Sequence, residues 1–171
     1  IYPLPRYNKQ SVKNPKGADS VDKIDKELLR LLTENARMPL NQLAQKVFLS
    51  SPAVASRIEK LEREGIIQSY TTKVDYLKLG YPITAFINLE VQPQQKQSFY
   101  SYIESCPNVL ECDCVTGRYS MLIKVAFPST QELDSFIGQL QTYGNTETQI
   151  VFSTPVESRG IQLMPAEGLQ H

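Results

Sequence analysis

Several residue types that commonly mark a catalytic or metal site are scarce in this chain. The 171 residues include no tryptophan, three cysteines and one histidine, the terminal His171. The cysteines lack the paired Cys-x-x-Cys spacing of zinc sites, and general acid–base chemistry lacks its commonest agent. No apolar run approaches the roughly 20 residues that cross a bilayer, and the start shows no signal-peptide pattern. We therefore expect a cytoplasmic protein that is not an enzyme and has no metal, cofactor or membrane partner.

The three cysteines fit a structural role better than a disulfide framework. Cys106, Cys112 and Cys114 are expected to be small buried hydrophobes. Cys112 and Cys114 are two residues apart and should share one face of a strand, which is a poor arrangement for bonding to each other.

The net charge of zero conceals an asymmetry between the two halves. Residues 1–80 hold 14 Lys and Arg against 9 Asp and Glu, whereas residues 81–171 hold 4 against 9. The basic half suits a polyanion such as double-stranded DNA. Residues 1–20 are rich in proline and basic residues and lack periodicity. They indicate either a disordered arm that reaches along DNA phosphates or a remnant of cloning.

Three short helices are predicted between Asp22 and Gly65. In the first, Ile24, Leu28, Leu31 and Leu32 form an apolar stripe, with Asp22 or Ser20 as the cap; in the second, Leu40, Leu43, Ala44 and Val47 share one face. The third has Ser50 as N-cap, Pro52 in the first turn, Val54, Ile58 and Leu61 as its buried stripe, and Gly65 as a left-handed C-cap.

The third helix presents a surface that could enter a groove of DNA. We assign to this outward surface Ser51, Ala53, Ser56, Arg57, Lys60 and Arg63. Its first half is small enough for the backbone to approach base edges, and basic side chains follow. A solvated face on an ordinary core helix is the alternative. The two preceding helices and the local basic excess favour DNA.

The rest of the chain follows a different pattern. Residues 66–82 resemble a wing or hinge strand that ends at a Gly and Pro boundary, with a linker at 69–82. Residues 83–160 read as strand, helix, two strands, helix and a last strand through TQIVFST. The second helix is headed by a capping box of Ser129 and Glu132. This β-α-β-β-α-β order predicts a ferredoxin-like domain, followed by a tail at 161–171.

Residues 24–80 resemble the DNA-binding half of the Lrp/AsnC family of transcription regulators. The family patterns are matched by Arg37, Leu43, Ala44, Leu49, Ser50, Arg57, Ile58, Leu61, Glu62, Gly65, Ile66, Ile67, Tyr70 and Asp75. VTGRYSMLIKV, from residue 115, resembles a segment of the family's amino-acid-sensing domain. The resemblance spans about residues 20–160. It implies an α+β chain with a winged helix-turn-helix domain at 21–68 and a ferredoxin-like effector-binding and oligomerisation domain. It also implies homodimers that often assemble into octamers.

Two positions depart from the family pattern. Phe48 stands where members usually have glycine, in a turn expected to be left-handed or tight; either the turn differs, or burial of the ring offsets the strain. Ser120 replaces an aspartate that the resemblance implicates in the effector response. A serine hydroxyl binds the ammonium of an amino acid more weakly than a carboxylate does.

The sequence therefore predicts a sequence-specific DNA-binding regulator that is modulated by a small molecule, most simply an amino acid. The candidate DNA contacts are Ser50, Ser51, Ser56, Arg57, Lys60 and Arg63. The candidate effector residues are Glu111, Asp113, Thr116, Gly117, Arg118, Tyr119 and Ser120, where Glu111 or Asp113 could supply the missing charge and Arg118 could bind a carboxylate. A tight hairpin that needs Gly117 is the alternative for this loop.

Two other functions fit the same architecture. An architectural protein that compacts DNA with little sequence preference is compatible with the near-neutral charge and the basic arm. Sirohaem decarboxylases resemble this domain order but are expected to use histidines, which are absent before His171.

Overall fold

The computed structural model describes residues 21–158, 160 and 161. The chain forms two compact units. The N-terminal unit contains the described residues up to Thr72 and those from Ser158 onward, and the sheet unit runs from Lys73 to Glu157. The predicted arm, residues 1–20, and His171 lie outside the described residues.

The N-terminal unit begins with helix α1, Lys23–Glu34. Asp22, one of the two predicted caps, is its N-cap and accepts a 2.8 Å hydrogen bond from the backbone N–H of Asp25. The Asp25 carboxylate accepts in return from the N–H of Asp22, which completes a capping box. The start of α1 is therefore fixed by two aspartates that satisfy otherwise unpaired N–H groups.

Helix α2, Leu40–Lys46, packs its apolar face into the same core. Leu43, Ala44 and Val47 are buried, as predicted from their spacing. Leu40 was predicted on this face but is 44% exposed, because it is the first residue of the helix and lies beyond the core.

Helix α3, Ser51–Arg63, has both of the predicted caps. The Ser50 hydroxyl accepts from the N–H of Ala53, and Gly65 has a φ of 71°. The N–H of Gly65 donates to the carbonyl of Glu62 and that of Ile66 to the carbonyl of Leu61. This is a Schellman motif, in which a left-handed glycine closes the helix.

Residues 66–82 do not form the predicted hinge strand. A strand is stabilised by a hydrogen-bonded neighbour, and no described residue pairs with this segment in the sheet. The β-like composition was therefore not sufficient to make a strand here.

The sheet unit has the predicted β-α-β-β-α-β order. Its elements are β1 Ile83–Val91, a 3₁₀ turn Pro93–Gln95, α4 Lys96–Ser105, β2 Val109–Cys114, β3 Met121–Phe127, α5 Thr130–Leu140 and β4 Gly144–Ile150. The antiparallel strand order β2-β3-β1-β4 confirms the ferredoxin-like α+β fold. The core includes Ile87, Phe99, Ile123, Phe136 and Leu140. Ser129 caps α5 as predicted, although the Glu132 carboxylate accepts from the Ser129 hydroxyl instead of from its N–H.

Two details of the sheet unit, the start of β4 and the exposure of Cys114, differ from the sequence prediction. Strand β4 begins at Gly144, four residues before the predicted TQIVFST, because the missing side chain lets Gly144 pass the backbone of Glu90. The register of β2 shifts between Val109 and Glu111, so Val109 packs on the core. Cys114, predicted to be buried, is exposed near the end of β2. No helix in the described ranges has the length and apolar character needed to cross a membrane.

Candidate nucleic-acid interface and ligand loop

The outermost face of α3 is a stripe of residues spaced three or four positions apart. This outward stripe consists of Pro52, Ser56, Glu59 and Arg63, all exposed. It lies opposite the buried Val54 and Leu61. Of the predicted DNA contacts, Ser56 and Arg63 belong to the stripe, Ser51 and Lys60 are half-buried beside it, and Ser50 caps the helix.

Sequence reasoning missed two members of this stripe, Pro52 and Glu59. The signal was available, since the centre of the exposed face lies half a turn from the apolar stripe, and those two positions fall there. The sequence prediction placed the centre of the exposed face closer to the basic residues than the structure does.

Arg57 does not point outward as predicted. Its Nη1 donates to Asp22 and to Asp25, both at 2.7 Å. The Asp25 side chain is 1% exposed, whereas those of Arg57 and Asp22 are 30% and 50% exposed. The guanidinium therefore ties α3 to the capped start of α1.

The electrostatics of this Arg57 clamp, which joins Arg57 to Asp22 and Asp25, follow from its hydrogen bonds. Bonds to Asp22 and then to Asp25 raise the pKa of Arg57. Burial acts to raise the pKa of Asp22, but hydrogen bonds from the N–H of Asp25 and from Arg57 outweigh it and lower that pKa. Arg57 and Asp22 are therefore both charged at neutral pH.

Phe48, in the turn between α2 and α3, has a φ of 55° and a residue exposure of 65%. The N–H of Leu49 donates to the carbonyl of Ala44 at 3.0 Å, so Phe48 occupies the left-handed position that ends α2. Of the two alternatives predicted for this turn, neither holds: the conformation is left-handed, and the ring is not buried.

The end of α3 is attached to the segment that follows it. The Tyr70 hydroxyl donates to the Glu62 carboxylate at 2.7 Å. Burial, assisted by this bond, raises the pKa of Tyr70 to about 12, so the hydroxyl remains a donor at neutral pH.

The ligand loop, residues 115–120, joins β2 to β3. Gly117 has a φ of 115°, a conformation that favours glycine. The Ser120 Oγ accepts from the N–H of Val91 at 3.1 Å and donates to the carbonyl of Leu89 at 3.4 Å. Ser120 therefore anchors the loop to β1.

The loop brings together groups of opposite charge. The Arg118 guanidinium lies 5.3 Å from the centre of the Tyr119 ring, and the Tyr119 hydroxyl donates to Glu147 at 2.8 Å. That hydrogen bond is the largest cause of a raised pKa for Tyr119, and the negative charge of Glu90 adds to the shift.

The structure separates two predicted effector residues from the tip of this loop. Glu111 lies opposite Lys124, and Asp113 lies opposite Leu122, both within the pairing of β2 with β3. The carboxylates beside Tyr119 are instead Glu147 and Glu90, on β4 and β1. Sequence reasoning missed them because a contact 28 residues along the chain leaves no local pattern.

Within the described residues, no three His, Cys, Asp or Glu side chains are grouped to hold a metal ion. Burial is the main cause that raises the pKa of Cys112 to about 11, so this thiol is neutral. Cys112 packs against the core as a small hydrophobe, but it is only partly buried, whereas full burial was predicted.

The N-terminal unit has a capped third helix that follows two shorter ones, and the sheet unit has four strands backed by two helices. This combination is typical of a helix-turn-helix regulator with a separate sensing domain. A family model for winged helix-turn-helix DNA-binding matches residues 21–68, and one for the Lrp/AsnC ligand binding domain matches residues 84–161. The chain belongs to the Lrp/AsnC family of transcriptional regulators.

The match with this chain covers nearly the whole length of each relative. The chain is 36% identical to the HTH-type transcriptional regulator LrpA of Bacillus subtilis, over 77% of this chain and 97% of that protein. It is 32% identical to LrpC of the same organism, over 78% of this chain and 92% of LrpC. The solved structure of E. coli AsnC matches with a TM-score of 0.75 and 32% identity, over 83% of this chain and 98% of AsnC. These relatives are regulators, which confirms the prediction that the chain is not an enzyme.

Proposed function

We propose that α3 enters the major groove of DNA and that its outward stripe reads base edges. The observation that carries this proposal is the stripe itself, which leaves Ser56, Glu59 and Arg63 exposed on the helix of a helix-turn-helix unit. An arginine can donate two bonds to guanine, and a glutamate can accept from the amino group of cytosine. Ser50, Ser51 and Lys60 border the stripe and are proposed to contact phosphates.

The experiment is a selection of duplexes from a random-sequence pool with the wild-type protein, followed by titrations at several salt concentrations. Arg63→Ala should weaken binding to the selected duplex by about 1–3 kcal/mol and relax its sequence preference. Lys60→Ala should weaken binding to all duplexes and reduce the salt slope by about one. Lys96→Ala, on α4, is the control and should change neither quantity.

The same titrations test the architectural alternative. A regulator should bind the selected duplex far more tightly than random DNA at physiological salt, typically by at least about 10³-fold. A ratio near one would indicate DNA compaction instead.

A cytoplasmic location belongs to the proposal, because a transcription regulator acts where the DNA is.

For the effector, we propose an amino acid bound at the ligand loop. Support comes from the ligand-binding family model and from the charges at the loop, where Arg118 suits a carboxylate and Glu147 with Glu90 suits an ammonium. Ser120 takes no part in this proposal as a ligand group, since its hydroxyl is bonded to the backbone of β1.

A thermal-shift screen against the twenty amino acids tests this assignment. Bound ligand raises the melting temperature as its concentration exceeds the dissociation constant. Glu147→Gln should abolish the shift given by a hit, whereas Glu104→Gln, an exposed acid on α4, should retain it. A hit whose shift survives Glu147→Gln would place the site elsewhere.

For assembly, we propose a homodimer formed through the sheet units, with dimers joining into an octamer. Support comes from the edge position of β4 and from the apolar residues at its end, where Ile150 is 47% and Phe152 is 99% exposed. An exposed apolar edge is suited to association. Light scattering should show smaller species for Phe152→Asp than for Leu40→Asp, which alters an exposed leucine in the N-terminal unit.

A further inference from the structure

Phe48 combines a left-handed backbone with a side chain that gains little from the contacts within its own unit. We propose that the Phe48 ring makes an apolar contact with DNA at the edge of the major groove, next to the start of α3. This inference rests on the proposed DNA-binding function and adds a contact outside α3.

The first argument is the backbone. At a φ of 55°, Phe48 occupies the position that glycine takes without penalty, because a Cβ crowds the backbone there. The hydrogen bond from the N–H of Leu49 to the carbonyl of Ala44 holds the turn in this shape. A bulky residue at such a position is an outlier that indicates a role for its side chain.

The second argument is burial. Val47 is 1% exposed and Leu49 packs against the same core, whereas Phe48, between them, is 65% exposed. The ring therefore gains little from the interior of the N-terminal unit. Most of the ring is therefore accessible to a partner of that unit.

The third argument is position. Phe48 lies two residues before Ser50, the N-cap of α3. The first residues of a recognition helix are the ones that approach base edges, so a side chain just before them meets the wall of the groove. DNA presents two apolar surfaces there, the thymine methyl group and the C–H atoms of deoxyribose. Phenylalanine is among the side chains that contact the thymine methyl.

The test uses the full chain and a duplex selected from a random pool with the wild-type protein. A second duplex carries deoxyuridine at every thymidine and so lacks only the methyl groups. Phe48→Gly removes the ring and relieves the backbone, while Phe48→Tyr keeps an aromatic ring. Affinity is measured at several salt concentrations, and thermal unfolding is recorded for each variant.

Phe48→Gly should bind the selected duplex on the order of tenfold more weakly, which corresponds to about 55 Å² of apolar surface removed from water. Its salt slope should be unchanged because no charge is lost, and its melting temperature should not fall. Phe48→Tyr should bind within about twofold of the wild type.

The deoxyuridine duplex distinguishes the two apolar surfaces. If the ring meets a methyl group, the wild type should bind the deoxyuridine duplex more weakly than the selected duplex. Phe48→Gly, which has no ring, should then bind the two duplexes equally. If it meets deoxyribose, Phe48→Gly should be weakened equally on both duplexes. Equal binding by Phe48→Gly and the wild type on both duplexes would overturn the inference, as would a lower salt slope. A wild type that binds no duplex would refute the proposed function instead.

Discussion

The main effect of replacing Arg57 by methionine should be a loss of stability of the N-terminal unit. The change removes the cation that meets Asp22 and Asp25 at 2.7 Å and leaves the Asp25 carboxylate, only 1% exposed, without its charged partner. Breaking a fully buried ion pair costs about 3–5 kcal/mol. Because the Arg57 side chain is 30% exposed, water replaces part of what is lost, and we expect a cost of about 2 kcal/mol.

Hydrogen exchange followed by mass spectrometry can measure this cost locally, since the two units need not unfold together. A loss of about 2 kcal/mol should speed exchange of the most protected α1 and α3 amides by about 30-fold. Amides of β1 and β3 provide an internal reference and should not change. Arg63→Met is the matched variant: it removes an arginine from the outward stripe of α3 and should leave exchange unaltered.

A second variant separates charge from packing. In Arg57→Met with Asp25→Asn, the buried position no longer carries an uncompensated charge, so much of the lost protection should return. The opposite result would be wild-type amide exchange rates in Arg57→Met together with a loss of both DNA affinity and sequence preference. The guanidinium would then be reading bases. The role in holding α3 against α1 would then be wrong.

Two further predictions concern backbone space and pH. Gly144→Ala should destabilise the sheet unit by about 3 kcal/mol or more in urea unfolding, because the new Cβ would lie 1.8 Å from the Glu90 carbonyl oxygen. Gly138→Ala, in α5 with nothing within 4 Å, should instead stabilise by up to about 1 kcal/mol. The lowered pKa of Asp22 means that its contribution to stability is complete above about pH 4 and is lost as the pH falls through the folded-state pKa. Asp22→Asn, which can still cap α1, should therefore show a shallower loss of stability as the pH falls below about 4, and an unchanged acid profile would contradict the assignment.

Local patterns were sufficient to predict most of the fold. Apolar spacing identified the helices of the N-terminal unit, and the caps at Asp22, Ser50 and Gly65 were readable because a cap depends on residues within one turn. The order of strands and helices in residues 83–160 was likewise predicted from the sequence.

Contacts between distant residues were not predictable in this way. Arg57 meets Asp25, 32 residues earlier, and Tyr119 meets Glu147, 28 residues later. Periodicity tells which side of an element faces the core, but a polar residue at the border of that face can turn inward when a carboxylate lies across from it. The sequence prediction for the outward face of α3 failed at this border.

The Arg57 clamp has a consequence for engineering. In a chimaera that receives the α3 of a relative, the outward side chains come from the donor. The orientation of the helix is set by the acceptor's first helix, through Asp22 and Asp25. Such an exchange should transfer binding preference only when the donor helix brings an arginine at position 57. Substitutions at Asp22, outside α3, should in turn alter which duplexes are bound.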